Sequence, residues 1–420
     1  VQKSTKLSGQ PIICQILSFI PKTLVQEAVE ETSSDRYYKK MHTYNQLVFM
    51  LYGIVGKIGS LNCLCKSLIF LESKLSYLGL NELPPKSTLS DANINRKSDV
   101  FKLLYYKLLD FYKVELKKGF VCSPINNEVP IDKIKRFDSS TFGLFTDIFK
   151  GAGRNPLEGK KKGGIKAQTV LPFDSLVPEF VTLSAASVND KTFLGQLKVI
   201  VGMLYIFDKG YVNYKIFQLW TDLGVFFVTR INENASYRII STILGDQFDI
   251  ANMVGVIKDE TIEVVVTSSK SMLKLRLVTY IDPCSGKVLK FLTNQFTYQA
   301  STIAQLYKNR WAIEVFFKQL KQNFQLSRFY SDSKEGIQSQ IWIALIANLI
   351  FTIIYQRIQE AEQFITIVGI VRANMGSYIC LITILKKKKL SALERNIEII
   401  QLSLFGANGG GVFENTNKSP

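Results

Sequence analysis

The alternation of apolar and polar positions changes character several times along the chain. Over residues 1–120 apolar side chains recur at helical spacing, as in "TYNQLVFMLYGIVGKI" and "VFKLLYYKLLDFYKVEL". A helical N-terminal domain is predicted there. Between those runs "PPKSTLSDANINRK" breaks the pattern, with Ser87 or Thr88 the expected N-cap of the next helix. Near residue 130 the period shortens. "IDKIKRFDSSTFGLF" sets β-branched and aromatic residues around Asp138, and "EFVTLSAASVND" reads as a further strand. "KGAGRNPLEGKKKGGIK" is too rich in Gly and Lys for regular structure, so a hairpin with a basic loop is expected. Residues 190–197 read as a helix.

The clearest unit is "VGMLYIFDKGYVNYKIFQLWTDLGVFFVTRI". The apolar run from Met203 to Phe207 predicts a strand buried on both faces. A helix follows from about Val212 to Leu223, with Gly224 in the stop position and a strand over Val225 to Thr229. Strand, helix, strand implies a parallel pair with a right-handed crossover. Asp208 then lies at the carboxyl end of a buried strand, where α/β sheets place their sites. Residues 231–298 alternate in the manner of an all-β insertion. Helical spacing returns at 299–358 and in C-terminal helices within 359–405, the segments being 338–358, 362–385 and 390–404. The tail 406–420 has the composition of a disordered segment. The fold class is therefore α/β, with a mixed core over 130–230 and 299–358.

In "LYKNRWAIEVFFKQLKQNFQL", residues 306–326, Tyr307, Arg310, Glu314 and Lys321 stand at steps of three, four and seven. On one continuous helix they fall within roughly 60° of each other, beside an apolar arc of Ile313, Phe316, Phe317, Leu320 and Phe324. Such a stripe runs for about 20 Å, which suits an extended polyanion. The plain alternative is a solvated face with an Arg310–Glu314 ion pair, worth a few tenths of a kcal/mol.

Composition narrows the chemistry. Lys and Arg number 52 against 35 Asp and Glu, a net charge of +17, which points to nucleic acid or an anionic membrane. Lys86, Arg96 and Lys97, at predicted helix ends, suit either a DNA-binding module or an ordinary charged surface. The longest apolar run, "IWIALIANLIFTIIY" at 341–355, falls short of the ~20 residues that span a bilayer and is expected to be a core helix. No membrane partner and no signal peptide are expected. Cysteines at 14, 63, 65, 122, 284 and 380 form no paired framework, which fits a reducing cytoplasm. His42 is the single histidine, so no ordinary zinc site can be built, and its place in a helical, basic region without an elbow motif argues against a Ser-His-Asp triad. Hydrolytic chemistry would have to rest on carboxylates with a hard metal.

Asp138 in an early strand, Asp208 at a strand end and Glu314 on a late helix can converge on two divalent ions. Two such ions about 3.5–4 Å apart activate an attacking oxygen and stabilise the leaving oxygen of a phosphodiester. Oxygen ligands select Mg²⁺ or Mn²⁺. Tyr307-x2-Arg310-x3-Glu314-x6-Lys321, "FDSSTF" around Asp138, "KGGIK" at 162–166 and "FDKGY" around Asp208 occur in this order. Together they resemble the motif blocks of bacterial DDE transposases of insertion sequence family 4, over residues 130–350.

That resemblance implies an RNase H-like catalytic core with a β insertion. It makes Asp138, Asp208 and Glu314 the catalytic, metal-binding triad for two Mg²⁺ ions. It makes Tyr307, Arg310 and Lys321 contacts to the DNA backbone. Separately, the crowded charge of the basic loop makes Lys160, Lys161, Lys162 and Lys166 expected DNA contacts, with an ordinary solvated loop as the alternative. The expected function is cut-and-paste transposition, with double-stranded DNA as partner, a homodimer in the synaptic complex and a place on the bacterial nucleoid. Two alternatives share the motifs: a DNA-binding protein that has lost catalysis, and a two-metal nuclease without strand transfer. Trp220 and Trp311 are expected to pack in the core.

Overall fold

The computed structural model describes residues 9–118, 129–143, 163–244, 248–249, 254–358 and 363–385. Lys160, Lys161 and Lys162, the expected helix at 390–404 and the tail lie outside the described residues.

The leading region is helical as expected: α1 (Ile12–Leu17), α2 (Lys22–Thr32), α3 (Thr43–Val55), α4 (Leu61–Leu68), α5 (Leu75–Leu78), α6 (Lys86–Asn95), α7 (Asp99–Phe111) and α8 (Lys113–Lys118). The start of α6 differs from expectation. Pro85, not Ser87 or Thr88, holds the N-cap position. Its ring pre-sets a φ of −56°, and a proline just ahead of the first turn loses no helical hydrogen bond. Arg96 also departs from the surface role considered for it. It is fully buried, and its guanidinium binds Gln46 at 2.7 Å, Asp35 at 3.1 Å and the Met41 carbonyl at 2.6 Å.

The centre is a mixed sheet. Strands β1 (Ile134–Gly143), β2 (Gly164–Pro172) and β3 (Phe180–Ala185) form an antiparallel meander. Helix α9 (Asp190–Gln196) leads to β4 (Leu204–Ile206), and α10 (Tyr214–Asp222) to β5 (Phe226–Arg230). Both β4 and β5 run parallel to β1. The order β3-β2-β1-β4-β5 is that of an RNase H-like core. Gly224, at φ +71°, ends α10 as the sequence indicated.

The β-rich segment does not form a separate unit. Strands β6 (Arg238–Leu244), β7 (Phe248–Asp249), β8 (Val254–Val266), β9 (Ser271–Ile281) and β10 (Val288–Thr293) continue the same sheet, because β10 pairs antiparallel with β5. Its apolar residues are divided between both faces. Leu273, Leu275 and Leu277 join Phe207, Phe217 and Trp220 on the α10 side, while Val278 and Phe291 face α11 (Ala300–Lys308) on the other.

After α11 come α12 (Trp311–Asn323), α13 (Lys334–Ile358), α14 (Phe364–Ala373) and α15 (Leu381–Leu385). The single helix expected over 362–385 is thus split, with Gly376 in the break. Helix α13 has the length and apolarity to cross a membrane, but its most apolar window is 94% buried inside the fold. It is apolar around its circumference, so it needs partners on every side. It obtains them from α3, α6 and α7 before the sheet and α14 after it. The expected leading and trailing domains therefore share one hydrophobic core, which also covers part of β1 to β3.

Candidate active site

The two aspartates meet through strand register. Ile134 lies beside Leu204 and Arg136 beside Ile206 in the parallel pair of β1 and β4. Two residues further along each chain come Asp138 and Asp208. Alternation along β1 turns Phe137 toward α9 and α10 and puts Ile134 on the side of α11. Asp138 has the same parity as Ile134. Asp208, just past β4, caps a short turn over Lys209–Tyr211.

The third acid arrives on α12, after a break that the sequence pattern did not show. Residues 306–326 are not one helix: α11 ends at Lys308 and α12 starts at Trp311. Across the junction the amides of Arg310 and Ile313 bond the carbonyls three residues back, at 2.9 and 3.1 Å. This tightened turn is held from below by buried Arg136, whose Nη1 donates to the Asn309 carbonyl at 3.2 Å. Sequence reasoning had assigned Arg136 no role.

The break redirects the polar residues. Tyr307 is buried, its ring centre 4.9 Å from that of Phe291 and its hydroxyl 3.4 Å from Asp208 Oδ1. Arg310 bridges two acids, with Nη1 3.2 Å from Asp138 Oδ2 and Nη2 2.5 Å from Glu314 Oε1. Lys321 closes the far end of α12 onto β1, donating to the Thr141 carbonyl at 2.9 Å. Tyr307 and Arg310 thus turn toward the aspartates at the break, while Glu314 and Lys321 stay exposed along α12. The four residues therefore do not make one continuous 20 Å face on a single helix.

Arg230, at the end of β5, was also missed. Its Nη2 lies 3.1 Å from Asp208 Oδ1. The available signal was a charged residue closing an apolar strand directly beside the strand that carries Asp208. Arg230 also lines a cleft of about 320 Å³ with Lys209, Tyr237, Lys290 and Glu233, where Glu233 pairs with Lys209 at 3.1 Å and three cations face one acid. Lys166, expected in the basic loop, instead lies within β2. It is buried, and its ammonium is engaged by Asp190 at 3.0 Å and the Val188 carbonyl at 2.8 Å. Trp220 packs in the core as expected, but Trp311 is 64% exposed at the start of α12, next to Arg310.

The acids differ in ionisation. Burial pushes the Asp138 carboxyl up to about 6, helped by the negative charges of Asp208 and Glu314 and opposed by the Ser139 amide and Arg310. Asp208 is also penalised by burial, but its bond to Arg230 and the charges of Arg310 and Arg230 outweigh this and hold it below the usual range. Among the described residues no three acidic, histidine or cysteine side chains stand close enough to enclose an ion. The donor chemistry nonetheless fits hard divalent cations. Three carboxylates share one region, and Asp138 responds to the charge of the other two. A positively charged guanidinium already sits between Asp138 and Glu314.

Residues 134–350, just over half of the chain, match the family model described as "Transposase DDE domain". The chain belongs to the DDE transposase family. The transposase domain spans the strands and helices that carry Asp138, Asp208 and Glu314. Ahead of it, residues 8–81 match a family described as "Domain of unknown function (DUF4372)". A putative transposase, y4zB, of Sinorhizobium fredii is 31% identical over 196 residues, covering 45% of this chain and 53% of that protein. A probable transposase for insertion sequence element IS5377 of Geobacillus stearothermophilus is 24% identical over 160 residues, covering 36% and 40%. The chain spans about half the length, or less, of these curated relatives. Among solved structures, a piggyBac transposase synaptic complex with hairpin DNA aligns with a TM-score of 0.42 and 11% identity, covering 93% of this chain and 84% of that one.

Proposed function

We propose that this protein cuts DNA at the ends of a mobile element and joins them to a target. The observation that carries this reading is that Asp138 within β1, Asp208 just past the neighbouring β4 and Glu314 on α12 share one region, with Arg310 bridging Asp138 and Glu314 and Arg230 holding Asp208. Divalent ions held by these three carboxylates would supply an activated oxygen nucleophile and stabilise the leaving oxygen. The chain's own groups do the rest. Arg136 fixes the turn that presents Arg310 and Glu314. Arg230, Lys209 and Lys290 offer positive charge to a backbone phosphate beside Asp208. The exposed Trp311 indole gives a base a surface on which to stack near the acids. Lys321 and Tyr307 hold α12 and α11 against the sheet while DNA binds, and Lys160 to Lys162 add phosphate contacts. Two copies would act on two element ends.

The test is cleavage and strand transfer with end DNA in Mg²⁺ or Mn²⁺. Asp138→Asn, Asp208→Asn and Glu314→Gln should each lose both steps while retaining DNA binding. Cutting without joining of precleaved ends would identify a nuclease. Binding without cutting in the intact chain would identify a protein that only grips DNA.

A further inference from the structure

Arg310 takes the position of a cation between two carboxylates. One nitrogen reaches Asp138 and the other Glu314, and the guanidinium is more enclosed than Glu314, at 13% against 44% side-chain exposure. Arg230 neutralises the remaining acid in the same manner. The guanidinium holds one oxygen of each acid, Asp138 Oδ2 and Glu314 Oε1, and its positive charge between them opposes a divalent ion there. The arginine's own hydrogen bonding is also incomplete: Arg310 Nε is buried without a hydrogen-bond partner among the described residues, and so is Arg230 Nε. Guanidinium donors in this condition are suited to an incoming phosphate, whose oxygens accept forked bonds.

We propose that Arg310 is an internal counter-ion that keeps Asp138 and Glu314 closed to divalent cations, and that a DNA phosphate opens them by drawing the guanidinium away. The proposal rests on the reading of the three acids as ion-holding groups. Phosphate and divalent ion then favour the same open state, so each strengthens binding of the other. The protein would load its ions on DNA rather than ahead of it. Rotation of one long side chain suffices for the change, since α12 remains anchored at its far end by Lys321.

The experiment is calorimetric titration of the full chain with Mn²⁺ in the absence of DNA. If the closed state outweighs the open one about tenfold, the apparent affinity is reduced by about that factor. Arg310→Gln should therefore bind Mn²⁺ about tenfold more tightly than the wild type, and adding Asp138→Asn should remove the gain. Equal or weaker Mn²⁺ binding by Arg310→Gln overturns the proposal. If that variant does not fold, Arg310→Lys replaces it, with a smaller gain expected because a single ammonium cannot fork across both acids. For the phosphate half, a duplex of arbitrary sequence in EDTA should bind Glu314→Gln more tightly than wild type. Adding Arg310→Gln should abolish that gain, and a gain that survives overturns this half. No cleavage is measured. A chain that gains Mn²⁺ affinity in this way but never cuts DNA sinks the proposed function alone, and an active enzyme whose Arg310→Gln variant shows no gain sinks this inference alone.

Discussion

Asp138→Asn should stabilise the protein above pH 6 in EDTA even as it removes activity. Folding raises the Asp138 carboxyl from 3.8 to about 6. The folded protein therefore holds this proton more tightly than the unfolded chain, and ionisation weakens the fold as pH rises through that window. The gap of about 2 units corresponds to about 3 kcal/mol at ~1.4 kcal/mol per unit. That shift already includes the opposing pull of Arg310 and the Ser139 amide, so their contributions need no separate subtraction. Asparagine keeps the shape and cannot ionise. The variant's advantage should be near zero below pH 3.8, about 1 kcal/mol at pH 4.5 and about 3 kcal/mol at pH 8. Urea unfolding in EDTA, followed by circular dichroism at pH 4.5 and pH 8, measures the difference. Mg²⁺ in large enough excess to overcome the Arg310 bridge without DNA should, at pH 8, stabilise the wild type more than the variant, because only the wild type retains all three carboxylates. An advantage independent of pH, or a less stable variant at pH 8, would refute the reasoning.

Other substitutions separate structural cations from DNA-binding ones. Arg96→Met should cost about 3–5 kcal/mol, since Asp35 and Gln46 lose a buried partner, and should leave the salt dependence of DNA binding unchanged; a folded, equally stable variant with weakened binding would return Arg96 to a DNA role. Lys166→Met should lose about 1–3 kcal/mol in a melting experiment through the broken hydrogen bonds to Asp190 and Val188; unchanged stability together with weaker DNA affinity would count against its buried placement. Converting Lys160, Lys161 and Lys162 to Gln should flatten the salt dependence of DNA binding, by about 0.9 in log–log slope for each phosphate that is no longer neutralised. An unchanged slope would make these lysines an ordinary solvated surface.

What the sequence revealed and what it hid follow from the range of the forces involved. The strand ending in Asp208 and the helix ended by Gly224 were legible because a continuous apolar run and a positive-φ stop are local signals. That Asp138 and Asp208 lie on neighbouring strands was expected from the resemblance and from their strand positions, and the pairing of β1 with β4 sets them side by side. The break at Asn309–Arg310 was not legible, since its cause is a guanidinium from β1 gripping a carbonyl more than 170 residues away in the chain. Arg96 and Lys166 were misplaced for a related reason. A charged side chain reads as surface until its partner is known, and Asp35 and Asp190 give no hint of pairing with them by spacing. The β-rich segment was recognised as strands, but its union with β5 depends on edge pairing that hydrophobic alternation does not encode.

The shared helical core carries a consequence for biosynthesis. Helices α1 to α8 are complete once residue 118 has been made, but α13, the rod they surround, ends at residue 358. At about 5–20 residues per second, the ribosome needs about 10 to 50 s to bridge that interval. Throughout that time the first helices are tethered to a growing chain with apolar faces awaiting their axis. A nascent protein of this kind is a natural client for ribosome-associated chaperones, and a copy of the gene truncated before α13 would yield helices that still touch one another but lack the rod that α3, α6 and α7 pack against.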